Sequence, residues 1–139
     1  MRIFSQLWNF DIRIFHNERK DMKLLFFASD YKIGLTQANT EVVIGLYRSG
    51  KVDMLCASSE NEQEKGLHKK LDDVRVPKCI IQGLDVHNDF KKKALEISKI
   101  ITGNFITHVN VQNNWQLALL AYVRLRYGLH FKLIYTIHG

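Results

Sequence analysis

Short apolar runs alternate with amphipathic segments from Met22 to the end of the chain, and this alternation is the feature that most constrains the fold. The apolar runs have the length and composition of strands that are buried on both faces of a parallel sheet. The predicted strands are residues 23–28, 52–57, 77–82, 104–111 and 132–137. Residues 60–73 are highly charged, and either a thin helix or a loop fits them.

The other intervening segments carry apolar residues at helical spacing. They predict helices over residues 37–49, over residues 90–101, and from Asn113 or Asn114 to Tyr127. Asn88 or Asp89 is available as an N-cap, and Gly103 and Gly128 are placed to end helices. Helical crossovers between parallel strands are right-handed, which leaves few topologies. The sequence therefore predicts a Rossmann-like α/β fold, with a doubly wound, mostly parallel sheet of about five strands and helices on both faces.

The chain has 139 residues, of which 46% are hydrophobic, enough for one core but hardly for two. We predict one domain over residues 22–139, preceded by an extension over residues 1–21. Apolar residues of the extension fall near helical spacing, which fits an interfacial helix at a membrane or a docking segment, whereas residues 12–14 alternate like a strand. A third interpretation is that Met22 is a natural start and the segment before it adds no core burial.

The cysteines and the apolar stretches bear on the compartment. Cys56 and Cys79 lie in apolar runs without metal-ligand spacing, which predicts buried free thiols and a reducing compartment. The longest apolar stretch, residues 117–123, is far too short to span a bilayer, and Asp11 and Arg13 break any signal-peptide core. We predict a cytoplasmic location, with peripheral contact at the inner face of the membrane left open.

In a doubly wound sheet, ligands bind beyond the carboxyl ends of the strands. The loops to inspect are residues 29–36, 58–60, 83–87, 110–114 and 138–139. The first loop has only Gly34 where a dinucleotide fingerprint needs three glycines, and no phosphate-binding P-loop motif occurs. No cofactor and no metal site is therefore predicted.

Charged residues and histidines limit the chemistry further. The formal net charge of +6 favours anionic partners, yet Lys91, Lys92 and Lys93 splay around a helix, which favours a solvated face over a nucleic-acid patch. No acid follows Glu96, which excludes paired-carboxylate catalysis from the last part of the chain.

Two histidines remain as site candidates. His108 within the fourth strand and His138 after the fifth could bind hydroxyls or phosphate or act as a general acid or base. We expect both to border the same sheet edge as Gly34. A buried, hydrogen-bonded structural role is the alternative for His108. The other histidines, His68 and His87 among them, have the setting of loop or surface residues.

Three segments together resemble the amino-terminal domain of family-four glycosyltransferases of the GT-B fold. They are Met22-Lys-Leu-Leu-Phe-Phe-Ala-Ser-Asp, Ile106-Thr-His-Val-Asn-Val before Trp115, and Leu133-Ile-Tyr-Thr-Ile-His-Gly139. The resemblance covers residues 22–139. It implies that this domain receives a saccharide or lipid-linked acceptor, and that a second Rossmann-like domain binds the nucleotide sugar. It also implies an acceptor cleft bordered by Gly34, His108, His138 and Gly139.

The sequence departs from the family pattern in two respects. The family often has His-x-His in the fourth strand, whereas this chain has His108-Val109-Asn110. The paired glutamates of the family's second domain have no counterpart, so the resemblance implies a truncated acceptor half that is inactive alone and contains no assigned catalytic residue. A stand-alone Rossmann-like binding or regulatory module is the alternative.

Overall fold

The computed structural model describes residues 22–29, 33–63 and 67–136, which form a five-stranded parallel sheet flanked by helices. The strands are β1 (Lys23–Phe27), β2 (Asp53–Ser58), β3 (Lys78–Ile80), β4 (His108–Val111) and β5 (Lys132–Tyr135). The helices are α1 (Ile33–Arg48), α2 (Leu67–Val74), α3 (Phe90–Gly103) and α4 (Asn114–Tyr127), with a 3₁₀ turn at Glu60–Gln63. The strand order is β3-β2-β1-β4-β5, so the predicted Rossmann-like doubly wound fold is confirmed.

Each face of the sheet has its own core, and β1 contributes to both. Leu24 and Phe26 pack with residues of α1 and α2, whereas Leu25 and Phe27 pack with residues of α3 and α4. All four side chains are fully buried. This is why the strand is an unbroken apolar run rather than an alternating one: both faces of a parallel sheet are covered by helices.

Two elements begin four residues away from their predicted starts, whereas the other boundaries of the predicted strands and helices differ by at most two residues. Helix α1 begins at Ile33, so Gly34 lies in its first turn rather than in a loop. Strand β4 begins only at His108, because the chain first turns after α3: Phe105 has a left-handed φ of 55°, and the Asn104 side chain donates to the Ile100 carbonyl at 2.8 Å.

The ends of the two helices on the second face follow different rules. Helix α4 begins and ends as predicted, with Asn113 accepting a hydrogen bond from the Gln116 amide at 2.8 Å and Gly128 left-handed at the other end. Helix α3 begins after Asp89, one of the two predicted N-cap residues, but Asp89 has φ 48° and makes no side-chain cap bond. Its C-cap is Asn104 rather than the predicted Gly103.

Some predictions concern residues outside the described part of the chain. The extension over residues 1–21 is one, and His138 and Gly139 are another. Among the helices of the described residues, none has the length and apolar character needed to cross a bilayer.

Candidate functional site

The carboxyl edge of the sheet has a switch point between β1 and β4, where the chain departs to α1 on one face and to α4 on the other. Polar side chains with at most 2% exposure line this edge, although such residues are mostly found at protein surfaces. They are Ser29, Asn39, Ser58, Ser59, Asn110, Gln112, Gln116 and Thr136. We call this set the polar floor.

Ser29 is the junction of the polar floor. Its hydroxyl oxygen accepts a hydrogen bond from the Ser59 amide at 2.7 Å, and its carbonyl accepts one from the Gln116 side chain at 2.8 Å. The Gln116 side-chain oxygen in turn accepts a hydrogen bond from the Gln112 backbone amide at 2.9 Å. These bonds join the segments after β1, β2 and β4, and they satisfy polar groups that would be costly to bury alone.

On the β4 side, the network reaches the end of β5. The Gln112 side-chain amide donates to the side-chain oxygen of Asn110, and the side-chain amide nitrogen of Asn110 donates to the Thr136 hydroxyl at 2.9 Å. The Tyr135 hydroxyl donates to Asn114 at 2.7 Å in the first turn of α4. The carboxyl ends of β4 and β5 are thereby held in a fixed arrangement before α4 begins.

Two carboxylates fix the loop after β3. The Asp85 carboxylate accepts hydrogen bonds from the Ser59 hydroxyl at 2.8 Å and from the Asn61 side-chain amide at 3.1 Å. Glu60 accepts from the Gly83 amide at 2.8 Å. Both carboxylates therefore bind backbone and neighbouring side chains, which is a positioning role and not the arrangement of an acid-base pair.

Ser58 and His68 share a hydrogen bond of 2.8 Å between the hydroxyl oxygen and Nε2. A histidine at this distance can activate a serine hydroxyl. Both residues are buried, however, at 1% and 5% exposure, and the bond ties α2 to the end of β2. The prediction that His68 is a surface residue is wrong, because its ring is drawn into this contact.

Lys93 is a second residue whose environment differs from the prediction. It is 3% exposed, and its ammonium donates to the Val86 carbonyl at 2.6 Å and to Asn88 at 2.8 Å. Burial lowers the pKa of Lys93, opposed by the nearby Asp89, Asp85 and Glu60. Lys91 and Lys92 are exposed, so only part of the predicted solvated face exists.

Trp115, in the first turn of α4, packs against this lysine. The Lys93 ammonium lies 5.0 Å from the Trp115 ring centroid, and the His87 ring stacks on the indole with centroids 4.9 Å apart. The edge of Phe90 also meets the indole. Side chains of the same chain therefore cover the Trp115 ring, and these contacts fix the loop between β3 and α3.

A cleft of about 250 Å³ opens beside Lys93 at the start of α3. Its lining carries both signs of charge, including Glu60, Asp89, Lys92 and Glu96. Cys79 lies close by, and its pKa is raised to about 11 by burial, with Glu96 adding to the effect. The Cys79 thiol is therefore protonated at neutral pH and is a poor nucleophile. Cys56 and Cys79 are both free thiols.

Of the residues expected to border one edge, Gly34 lies in the first turn of α1, at the switch point. His108 does not lie there. It is the first residue of β4 and is in register with Leu24 and Lys132, which places it toward the amino ends of the strands. Its Nδ1 and the Thr107 hydroxyl share a hydrogen bond of 2.8 Å, and it is 3% exposed.

The sheet order and the helices on both faces define a Rossmann-like α/β domain whose switch point lies at a polar edge of the sheet. Among solved structures, the chain is similar to a glycosyltransferase from Rickettsia africae ESF-5, with a TM-score of 0.63 and 16% sequence identity over 85% of this chain and 30% of that one. The likeness is one of fold, and the chain spans 30% of the length of that glycosyltransferase. No family model and no curated protein matches the sequence.

Proposed function

We propose that this chain is the acceptor-binding half of a glycosyltransferase of the GT-B fold and the family-four type. The observation that carries the proposal is the polar floor at the switch point of a sheet whose fold is that of a glycosyltransferase. Sugar hydroxyls both donate and accept hydrogen bonds. A rigid edge rich in amides and hydroxyls is suited to recognise them.

Asn39 supplies one acceptor for such a ligand. Its side-chain amide donates to the Ala28 carbonyl at 3.1 Å, at the end of β1. Its carbonyl oxygen is buried and has no hydrogen-bond partner among the residues that the structure describes. Since an unpaired buried acceptor is unfavourable, a hydroxyl donor that reached it would gain an unusually favourable bond.

Gly34, His138 and Gly139 belong to the proposed acceptor cleft. Glycine in the first turn of α1 lets a ligand approach the backbone closely, and His138 offers a ring nitrogen to a hydroxyl or phosphate. His108 is assigned a positioning role within β4, because its place at the start of the strand is distant from the carboxyl edge.

The acceptor in this proposal is a saccharide or a lipid-linked saccharide. The nucleotide sugar binds a second domain, so the chain transfers no sugar by itself and belongs to the cytoplasmic side of the cell. The free thiols of Cys56 and Cys79 are in keeping with a reducing compartment.

The test is an amide-resolved NMR titration of the whole chain with saccharide acceptors and, separately, with nucleotide sugars. We expect acceptors to shift the backbone amides of Ser59 and Gln112, which belong to the polar floor, and of Asn113, which follows Gln112 in the chain. The amides of Gly50 and Gly128, at the opposite edge, serve as internal controls and stay unchanged.

A parallel assay mixes the chain with nucleotide sugars and acceptors and measures transfer. We expect none. Turnover by the chain alone would contradict the proposal, as would acceptor shifts confined to the opposite edge. Shifts with nucleotide sugars but with no acceptor would favour the stand-alone binding module instead.

A further inference from the structure

The opposite, amino edge of the sheet has a different surface on its β4–β5 side. Phe105 is 82% exposed and Leu125 is 84% exposed, far more than the other exposed apolar side chains, Ile80, Val86 and Leu95, at 44–46%. Lys99, Arg124 and Arg126 are exposed on the same stretch of chain. We call these five residues, Lys99, Phe105, Arg124, Leu125 and Arg126, the amino-edge patch.

The fold brings these residues to one corner. Helices α3 and α4 both run back from the carboxyl edge, so their last turns and the segments that follow them meet at the amino ends of β4 and β5. A groove of about 460 Å³ opens there, lined by Ser98, Lys99, Thr102, Gly103, Tyr127 and Leu129. The exposed Phe105 follows Gly103, one of these lining residues, by two residues in the chain.

The segments of residues 97–139 that reach this corner carry cations and no acid. No Asp or Glu occurs after Glu96, whereas the same stretch contains Lys99, Arg124, Arg126 and Lys132. Two guanidinium groups rest on aromatic rings, with Arg124 5.2 Å from the Phe131 centroid and Arg126 5.4 Å from the Tyr127 centroid. Cation-π contacts hold positive charge beside exposed apolar side chains.

Phe105 occupies its position against two unfavourable factors. Its φ of 55° is a left-handed conformation that a bulky residue adopts at a cost, and its phenyl ring is left in water. Neither the turn nor the core gains from an aromatic side chain at this place. A bulky apolar side chain exposed in this way is available for a contact made outside the chain.

We infer that the amino-edge patch docks on the surface of an anionic phospholipid bilayer. Phe105 and Leu125 enter the boundary between head groups and acyl chains, while Lys99, Arg124 and Arg126 lie against the lipid phosphates. Charge complementarity selects this occupant, because cations flank the apolar pair and no acid is present on residues 97–139 to repel the lipid phosphates. The inference uses the edge remote from the proposed acceptor cleft and does not depend on glycosyl transfer.

The test is flotation of the full chain with phosphatidylcholine vesicles that contain phosphatidylglycerol, against vesicles of phosphatidylcholine alone. We expect binding to the anionic vesicles that weakens with added salt, because salt screens exposed charges. The double substitution Phe105→Ser with Leu125→Ser should lower the partition coefficient by about tenfold or more, through loss of two inserted apolar side chains.

The matched control is Ile80→Ser with Val86→Ser, which removes two exposed apolar residues away from the patch. We expect this control to bind as the parent chain does, with both variants checked by circular dichroism and thermal unfolding. In a second pair, Arg124→Gln with Arg126→Gln should weaken binding by roughly fivefold per residue, whereas Lys69→Gln with Lys70→Gln should not.

Equal binding by the Phe105→Ser, Leu125→Ser variant and the parent would overturn the inference, and so would equal loss in the Ile80→Ser, Val86→Ser control. Absence of binding to anionic vesicles would do the same. Sedimentation equilibrium tests a different partner. If the parent chain is a dimer and the Phe105→Ser, Leu125→Ser variant is a monomer, the patch binds a second copy of the chain and the membrane inference is overturned.

Discussion

At the carboxyl edge of the sheet, buried amides and hydroxyls bond to one another, whereas the corner of the amino edge at the ends of α3 and α4 exposes Phe105 and Leu125 among cations. Buried polar groups are favourable only when each has a partner, so the first arrangement requires a fixed geometry. Exposed apolar side chains have no hydrogen-bond partners to lose when they move, and burying them against another surface is favourable. This difference is the basis of our two proposals, a ligand at the carboxyl edge and a docking surface at the amino edge.

Helix α3 connects the two environments. Its first turns contain Lys93, bonded to Val86 and Asn88 in a charged cleft, and its last turn leads into the exposed Phe105. The non-glycine left-handed residues Asp89 and Phe105 stand at its two ends. Substitutions along this helix and along α4 therefore separate the properties of one edge from those of the other.

The largest expected effect is on catalysis at the carboxyl edge. When the chain is joined to the donor-binding domain of the proposed enzyme, His138→Ala should lower the rate of sugar transfer by about 10² to 10⁴, typical of a positioned acid-base or charge-stabilising group. His130→Ala is the control, because His130 is an exposed histidine just before β5, at the other edge. Steady-state kinetics measure both, and an unchanged rate for His138→Ala would remove the histidine from the cleft.

The next largest expected effect is on the free energy of unfolding, and it also concerns the carboxyl edge. Gln116→Ala leaves the Ser29 carbonyl and the Gln112 amide without their partner, and we expect a loss of about 3 kcal/mol in the free energy of unfolding. Arg126→Ala, on the exposed side of the same helix, should change it by less than about 0.5 kcal/mol. Guanidinium chloride unfolding compares them. Similar losses in both would mean that the polar floor does not stabilise the fold.

A smaller effect of opposite sign is expected at the amino edge. Phe105→Gly relieves the left-handed backbone of a non-glycine residue and should raise the free energy of unfolding by about 1 kcal/mol. The same variant should bind anionic vesicles more weakly than the parent chain. A loss of stability in this variant would show that the phenyl ring supports the fold, and the contrast between the edges would then fail.

The smallest expected effect is a dependence on pH. Burial lowers the pKa of Lys93 in the folded state, so above that pKa unfolding takes up a proton, and the free energy of unfolding rises with pH toward the ordinary lysine value of 10.5. Lys93→Met lacks this group. The stability of the parent chain relative to Lys93→Met should therefore increase over that range. A difference that stays constant with pH would mean that the lysine is solvated.

Several elements could be predicted because their causes are local. The unbroken apolar run of β1 follows from coverage of both sheet faces, and the ends of α4 follow from Asn113 as cap and Gly128 in the left-handed region. The order of strands and helices then limits the topology. The loops beyond the carboxyl ends of the strands were identified from this order alone.

Contacts between distant segments could not be predicted in the same way. Gln116 bonds to Ser29 across 87 residues of chain, and no motif in either segment indicates the other. His68 is buried where its ring shares a hydrogen bond with Ser58. Lys93 is buried because the loop before α3 supplies acceptors for its ammonium. Helical periodicity predicts on which face of a helix a residue lies, but not which residues pack against that face.

The sequence by itself determined the five strands, three of the four helices, their order and the parallel sheet, since these depend on side-chain patterning within each segment. It left residues 60–73, which contain most of α2 (Leu67–Val74), open between a helix and a loop. Only the tertiary structure decided that β4 starts at His108, where pairing with β1 and β5 begins, and that a chain of buried hydrogen bonds joins the carboxyl ends of the strands. The physical reason is that burial and hydrogen-bond satisfaction are properties of neighbours in space, and in a parallel sheet those neighbours come from distant parts of the chain.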